Sequence, residues 1–160
     1  MPSNVDPIPE GYGTVMPALC VRDAARAIEF YKKAFGALEL TRMAGPDGKI
    51  MHAEIKIGGS IVFLCDEFPD MPGACRAPQT LNGVTSGLYL YVPDADSLFA
   101  RALKAGAKQI MPLSDMFWGD RYGKLQDPFG HFWGLATRKE NLSPQEIKKR
   151  QEDYFSAAKS

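Results

Sequence analysis

The sequence is poor in the residues on which metal, redox and nucleic-acid chemistry usually depend. Its 160 residues include two histidines and three cysteines, and these cysteines lack the spacing of zinc ligands. Lysine and arginine together number 19, as do aspartate and glutamate, so no excess of charge predicts binding to nucleic acid or to an anionic membrane. We therefore expect reduced thiols in a cytoplasmic protein.

Long apolar segments are also absent. Residues 1–13 are rich in proline and glycine and contain no apolar core, so we expect neither a signal peptide nor a membrane span there. A hydrophobic content of 45% and a charged content of 24% are ordinary for a globular protein, and 160 residues can bury the core of one domain. We predict one domain without a membrane partner.

One pattern is present twice, at a constant separation of 71 positions. Asp23 at the start of a predicted helix corresponds to Asp94, and Gly59 in a predicted hairpin turn corresponds to Gly130. A duplicated module has two matching faces, and pairing of the modules encloses a cavity between them. The side chains that line this cavity are the first place to look for function.

Each copy predicts the element order β-α-β-β-β. Asp23 and Asp94 are N-caps of the two helices, and Gly36 and Gly106 end them in the left-handed conformation. We predict an α+β fold in which two tandem βαβββ modules form one domain, as a curled mixed sheet around a cavity, followed by a C-terminal helix. The predicted segments are an N-terminal extension (1–13), a first module (14–66), a proline-rich linker (67–84), a second module (85–138) and a C-terminal tail (139–160).

The tail begins its helix with a capping box, Ser143-Pro144-Gln145-Glu146, and the helix is predicted to run to about Ala158. Its few apolar residues include Tyr154 and Phe155. Two interpretations remain open, because these residues could pack on the same chain or form a dimer contact.

Strand alternation predicts which side chains face the cavity. In the first strand, predicted over residues 14–21, Leu19 and Val21 face the helix and Met16 faces the cavity. By the same rule Phe63 and Tyr89 face inward. Small, sulfur-bearing and aromatic side chains of this kind are typical of a binding cavity.

The chain resembles the vicinal-oxygen-chelate superfamily, which includes glyoxalase I, extradiol dioxygenases and the fosfomycin and bleomycin resistance proteins. The resemblance depends on the paired modules, on the helix sequence DAARAIEFY at 23–31 and on the turn DPFGH at 127–131. The motifs HAE at 52–54 and WGDRYG at 118–123 are similar to the branch often labelled 3-demethylubiquinone methyltransferase-like. The resemblance covers roughly residues 14–138 and implies the fold predicted above.

In metal-dependent members, each module supplies one ligand from its first strand and one from its last. The resemblance places these ligands at Met16 and Gly87, where the family has histidine, and at Phe63 and Gly134, where it has glutamate. None of the four is a normal ligand of a hard or borderline divalent ion. We therefore expect no metal and no other cofactor.

His52 and Glu54 lie two residues apart on a strand and share a face. If they point inward, they could bind a polar substrate or form a catalytic acid–base pair. If they point outward, they are solvated surface residues.

The densest aromatic segment, residues 117–123, contains Trp118, Arg121 and Tyr122. Aromatic side chains beside an arginine could stack on a flat ligand and pair with its negative group. Alternatively, Trp118 and Tyr122 close one end of the cavity as core, and Asp120 and Arg121 form a local ion pair.

We predict a protein that binds a small, partly aromatic molecule in the cavity between the modules, without a metal. Met16, Phe63, Tyr89, Trp118, Arg121 and Tyr122 would contact this molecule. The alternative is a glyoxalase-like lyase or isomerase that uses His52 and Glu54 as acid and base, or a displaced metal. The resemblance also implies a homodimer.

Overall fold

The computed structural model describes residues 5–157, which fall into two compact units that meet in sequence between Gly83 and Val84. Unit 1 contains β1 (Ala18–Val21), α1 (Ala24–Phe35), β2 (Leu38–Ala44), β3 (Ile50–Ile57), β4 (Ser60–Asp66) and the short helix α2 (Pro78–Leu81). Unit 2 contains β5 (Gly87–Tyr91), α3 (Ala95–Ala105), β6 (Lys108–Asp115), β7 (Asp120–Gln126), β8 (Phe132–Arg138) and α4 (Pro144–Ala157). Over this described range, no helix has both the length and the apolar character needed to cross a membrane.

Each unit builds one four-stranded mixed sheet, and the two sheets have the same topology. The strand order is β1-β4-β3-β2 in unit 1 and β5-β8-β7-β6 in unit 2. The first strand of each unit is parallel to the fourth, and the other pairs are antiparallel. The predicted α+β fold with two βαβββ modules is therefore confirmed. The cavity between the modules stays a prediction.

The helices begin and end where the sequence predicts. The Asp23 carboxylate accepts a hydrogen bond from the backbone N–H of Arg26 at 3.0 Å, and Gly36 ends α1 with a φ of 69°. In α3, Asp94 accepts from the backbone N–H of Ser97 in the same way. Such caps satisfy backbone groups that have no partner within the helix and stabilise it by about 1 kcal/mol each.

The core of each unit lies between its helix and one face of its sheet. In unit 1, Ile28 and Tyr31 of α1 are fully buried, as is Ile55 of β3. In unit 2, Phe99 of α3 is buried, and so is Trp133 of β8. The Trp133 indole N–H donates to the buried Asp127 carboxylate at 2.9 Å, so this polar atom keeps a partner in the core.

Two strands are shorter than predicted. The first begins at Ala18 rather than Thr14, and the fifth spans Gly87–Tyr91 rather than 85–92. Both are edge strands with one neighbour, and Pro17 has no N–H to extend the first ladder. Val15, which the alternation assigned to the helix-packed face, is 85% exposed.

The linker is more ordered than its polar composition predicts. Glu67 is buried, and its carboxylate accepts hydrogen bonds from the Ala77 backbone N–H at 3.2 Å and from the Thr80 hydroxyl at 2.6 Å. Pro78 provides the first residue of α2. One carboxylate thus joins the start of the linker to α2.

The predicted capping box of the C-terminal helix is present. The Ser143 hydroxyl accepts from the Glu146 backbone N–H at 3.3 Å, and the Glu146 carboxylate accepts from the Ser143 N–H at 2.8 Å. None of the residues of α4 is buried, and Tyr154 packs against Phe117 of the same unit with ring centroids 5.5 Å apart. The predicted last helical residue, Ala158, lies outside the described residues. The dimer contact stays a prediction.

Candidate functional site

Unit 2 has an open sheet face that bears tyrosines. Alternation places the side chains of Tyr89 and Tyr91 on the face of the sheet opposite to α3. On the other face, Phe99 of α3 lies so close to Gly123 that an added Cβ would stand 2.9 Å from its ring. We call the open surface the tyrosine face and define it by the following residues: Tyr89, Tyr91, Asp120, Tyr122 and Lys124.

Two rings of this face are stacked above Gly134. Tyr89 and Tyr122 lie with ring centroids 5.2 Å apart and an interplanar angle of 7°. A Cβ at position 134 would stand 2.8 Å from a ring carbon of Tyr122 and 3.0 Å from one of Tyr89. Only glycine fits beneath the stacked pair without moving it.

A buried carboxylate holds the aromatic side chains around it. Asp120 is 4% exposed and accepts hydrogen bonds from the Tyr91 hydroxyl at 2.7 Å, the Trp118 indole N–H at 3.2 Å and the Tyr89 hydroxyl at 3.4 Å. These donors replace the water that the carboxylate loses on burial. The bond to Asp120 raises the pKa of the Tyr91 hydroxyl, and burial is the main cause of the raised pKa of Tyr89.

A pocket of about 380 Å³ opens beside the stacked pair and is formed by unit 2 alone. The Lys124 ammonium lies 5.5 Å from the centroid of the Phe132 ring, which also borders the pocket. Burial raises the pKa of the Tyr122 hydroxyl, which has no hydrogen-bond partner among residues 5–157. The lining residues are Val84, Thr85, Ser86, Gly87, Leu88, Tyr89, Tyr122, Lys124, Phe132 and Gly134.

The structure places Arg121 away from these aromatic side chains, and its role as a ligand anchor stays a prediction. Arg121 alternates with Tyr122 along β7 and therefore points to the helix side of the sheet. Its guanidinium binds both carboxylate oxygens of Asp96 at 2.6 and 2.7 Å, and one oxygen of Asp115 at 3.2 Å. The alternative prediction, a local ion pair between Asp120 and Arg121, is wrong, because Asp120 points to the tyrosine face.

In unit 1, the predicted pair of His52 and Glu54 shares a face and is in contact. The His52 Nε2 lies 3.0 Å from Glu54 Oε1, and the Tyr12 hydroxyl donates to Glu54 Oε2. Two hydrogen bonds lower the pKa of the Glu54 carboxyl, and the bond with His52 contributes more than the bond from Tyr12. Phe63 lies directly across from Glu54 and meets the His52 ring edge-on at 5.0 Å. Met16 is half-buried just before β1.

The three cysteines are free thiols. Cys20 is buried, Cys65 is half-buried and Cys75 is exposed. Burial raises the pKa of Cys20 to about 12 and also raises that of Cys65. Neither thiol is therefore a nucleophile at neutral pH.

The sites that the family uses for metal binding do not suit a metal here. Met16 and Phe63 offer no oxygen or nitrogen donor, and Gly87 and Gly134 have no side chain. The stacked tyrosines occupy the space above Gly134. Elsewhere in the part of the chain that is described, no three His, Cys, Asp or Glu side chains are grouped so that they could hold an ion.

The structure thus brings Tyr89, Trp118 and Tyr122 together, with the last two ring centroids 6.0 Å apart. It separates Arg121 from them. The sequence analysis missed Asp120 and Lys124. Strand alternation places both on the same face of β7 as Tyr122 and on the face opposite to Arg121. The sequence analysis also missed Tyr12, for which no local pattern gives a signal.

Comparison with known proteins agrees with this architecture. An uncharacterized protein of Mycobacterium bovis is 45% identical over 148 residues, which are 92% of this chain and 93% of that protein. The crystal structure of TioX from Micromonospora sp. ML1 has a TM-score of 0.62 and 30% identity, and covers 79% of this chain and 99% of its own. The PhnB protein from Bacillus cereus shares the fold, with a TM-score of 0.61, 18% identity and coverage of 78% and 99%. The family model of the Glyoxalase/Bleomycin resistance protein/Dioxygenase superfamily matches residues 13–135, and the chain belongs to this superfamily.

Proposed function

We propose that this chain binds a small, planar, partly aromatic molecule in the pocket of unit 2, without a metal ion. The observation that carries the proposal is the stacked pair of Tyr89 and Tyr122 at the wall of this pocket. The volume of the pocket, about 380 Å³, falls within the range of about 300–1,000 Å³ that is typical of small-molecule sites.

The aromatic side chains are held in place before a ligand arrives. Tyr91 and Trp118 donate to the buried Asp120, and Tyr89 is fixed by both its ring stack and its hydroxyl. Side chains that are already ordered lose little entropy when they bind, so more of the contact energy contributes to affinity. A flat molecule can replace water against these rings by stacking or edge-to-face contact.

Membership of the superfamily is compatible with binding without chemistry, although its description also names glyoxalases and dioxygenases. Its description includes bleomycin resistance proteins, which are named for protection against a compound. Sequestration requires a shaped pocket and no reacting group. That requirement suits a pocket in which Gly87 and Gly134, where the resemblance implies metal ligands, have no side chain.

Two planar probes test the proposal: 2-naphthoate and its neutral analogue 2-naphthamide. Isothermal titration calorimetry in the presence of EDTA should detect binding of at least one. Tyr122→Ala should weaken binding at least tenfold, whereas Tyr154→Ala, which removes an exposed tyrosine of the same unit, should not. Absence of binding by both probes, or binding that EDTA abolishes, would contradict the proposal.

A second candidate function is supported by the contact between His52 and Glu54 in unit 1. An ionised Glu54 beside an imidazole could orient it for proton transfer, as acid–base catalysis requires. Turnover of the methylglyoxal–glutathione adduct that His52→Ala removes would favour this function. Protein that shows no turnover, with or without added nickel or zinc, would exclude this reaction.

We also propose a homodimer, as the resemblance implies. Size-exclusion chromatography with light scattering would measure twice the mass of 17.6 kDa for a dimer. A mass that stays at that of one chain over the micromolar range would contradict it.

A further inference from the structure

We infer that the molecule held in the pocket of unit 2 carries a carboxylate, which Lys124 and the Tyr122 hydroxyl bind. This inference rests on the proposed function, because it names the chemical class of the molecule that the pocket would take.

Lys124 is the one charged side chain among the residues that line the pocket. It lies opposite Gly134 in β8, the residue above which the tyrosines are stacked, and its ammonium lies 5.5 Å from the Phe132 ring centroid. Lys124 forms no ion pair within the described range. A half-buried cation without a carboxylate partner favours a ligand of opposite charge.

The carboxylates of the surrounding strands are already engaged. Asp120 accepts from three aromatic donors, and Asp127 accepts from the Trp133 indole and from two backbone N–H groups. Asp115 binds Arg121 on the helix side of the sheet. Neutralising Lys124 is therefore left to a bound molecule or to solvent ions.

The corresponding position of unit 1 shows the contrast. Glu54 lies opposite Phe63 in the same way as Lys124 lies opposite Gly134. Glu54, however, is hydrogen-bonded by His52 and Tyr12 of its own unit. The charge of Glu54 is therefore met by side chains of unit 1, whereas the charge of Lys124 in unit 2 faces the pocket without an ion pair among the described residues.

The number of donors favours a carboxylate over a phosphate. Tyr122 and Lys124 are alternate residues of one strand face, with Cα atoms about 7 Å apart. On this strand face, the Lys124 ammonium and the Tyr122 hydroxyl are two donor groups, which match the two oxygens of a carboxylate. A phosphate has three terminal oxygens and is usually bound by an arginine fork or by several backbone N–H groups.

The test compares 2-naphthoate with 2-naphthamide, which has the same shape without the charge, and with 2-naphthyl phosphate. Calorimetry at low ionic strength should show that the carboxylate binds at least tenfold more tightly than either. Lys124→Met should remove the preference over the amide and leave amide binding within about twofold. Lys108→Met removes a charge from an exposed position of the same unit and should change neither affinity.

The possible failures are distinguishable. Equal affinity for carboxylate and amide, or a preference that survives Lys124→Met, would overturn this inference and leave the proposed function intact. Tighter binding of the phosphate would overturn the carboxylate assignment. If neither 2-naphthoate nor 2-naphthamide binds, the proposed function fails and this inference fails with it.

Discussion

Substitution of Gly134 tests whether the stacked tyrosines are the binding surface. In Gly134→Ala, the new Cβ would stand 2.8 Å from Tyr122 and 3.0 Å from Tyr89, and both contacts are with ring atoms of half-exposed or exposed side chains. These rings can swing toward solvent, so the strand itself need not move. We expect the pair to separate while the sheet remains intact.

The expected change in the free energy of unfolding follows from the interactions that Gly134→Ala removes. Separating the stacked pair removes about 0.5–1.5 kcal/mol of aromatic interaction. Replacing a strand glycine by alanine returns about 0.5–1 kcal/mol of backbone entropy. The free energy of unfolding should therefore change by about 1 kcal/mol or less, whereas the affinity for 2-naphthoate should fall at least tenfold.

Gly123→Ala is the matched control, because it is one strand away and faces the helix. Its Cβ would stand 2.9 Å from Phe99 but also 3.0 Å from the backbone nitrogen of Leu113, which cannot move without shifting β6. Overpacking of this kind costs about 1–3 kcal/mol. Urea denaturation should show a larger loss of stability for this variant than for Gly134→Ala, and probe affinity per folded molecule should be unchanged. The reverse ranking of stabilities, or normal probe binding by Gly134→Ala, would refute the reasoning.

Three further predictions concern the charged groups. Asp120→Asn removes a charge that accepts hydrogen bonds from three donors. The free energy of unfolding should therefore fall by about 1.5–3 kcal/mol, and the tryptophan emission should shift. An unchanged midpoint in urea would contradict this. The folded state holds the pKa of Glu54 below its unfolded value of about 4.3, so its stabilising contribution is complete above that pH and is lost as the pH falls through the folded pKa. Glu54→Gln should therefore flatten the acid side of the stability–pH profile below about pH 4.3, and a profile that keeps its slope would count against the bond to His52. Arg121→Ala should leave the midpoint of urea denaturation nearly unchanged, because solvent screens an ion pair with exposed partners. Probe titrations should give the wild-type affinity, and weakened binding would return Arg121 to the site.

The elements that the sequence predicted well are those with local signals. Asp23 and Gly36 bound α1 because a cap and a left-handed glycine act within one turn of the helix. The extent of the edge strands was less predictable, because the residue at which β1 begins depends on where β4 provides hydrogen-bond partners.

The candidate site was predicted in part for the same reason. Tyr89 was predicted from alternation and Tyr122 from the aromatic segment 117–123, and the glycine at position 134 leaves room for their stacking. Arg121 was assigned to them because it adjoins Tyr122 in sequence. Neighbours along a strand point to opposite faces, so that proximity placed it on the wrong side.

The sequence by itself determined the duplicated module, its α+β class and its lack of the family's metal ligands, because caps, alternation and residue identity are local properties. Only the tertiary structure decided which charges have partners. Tyr12 reaches Glu54 across 42 positions, and Arg121 reaches Asp96 across 25. Pairings over such separations depend on how strands and helices pack, and this packing leaves Lys124 as the charge that faces the pocket.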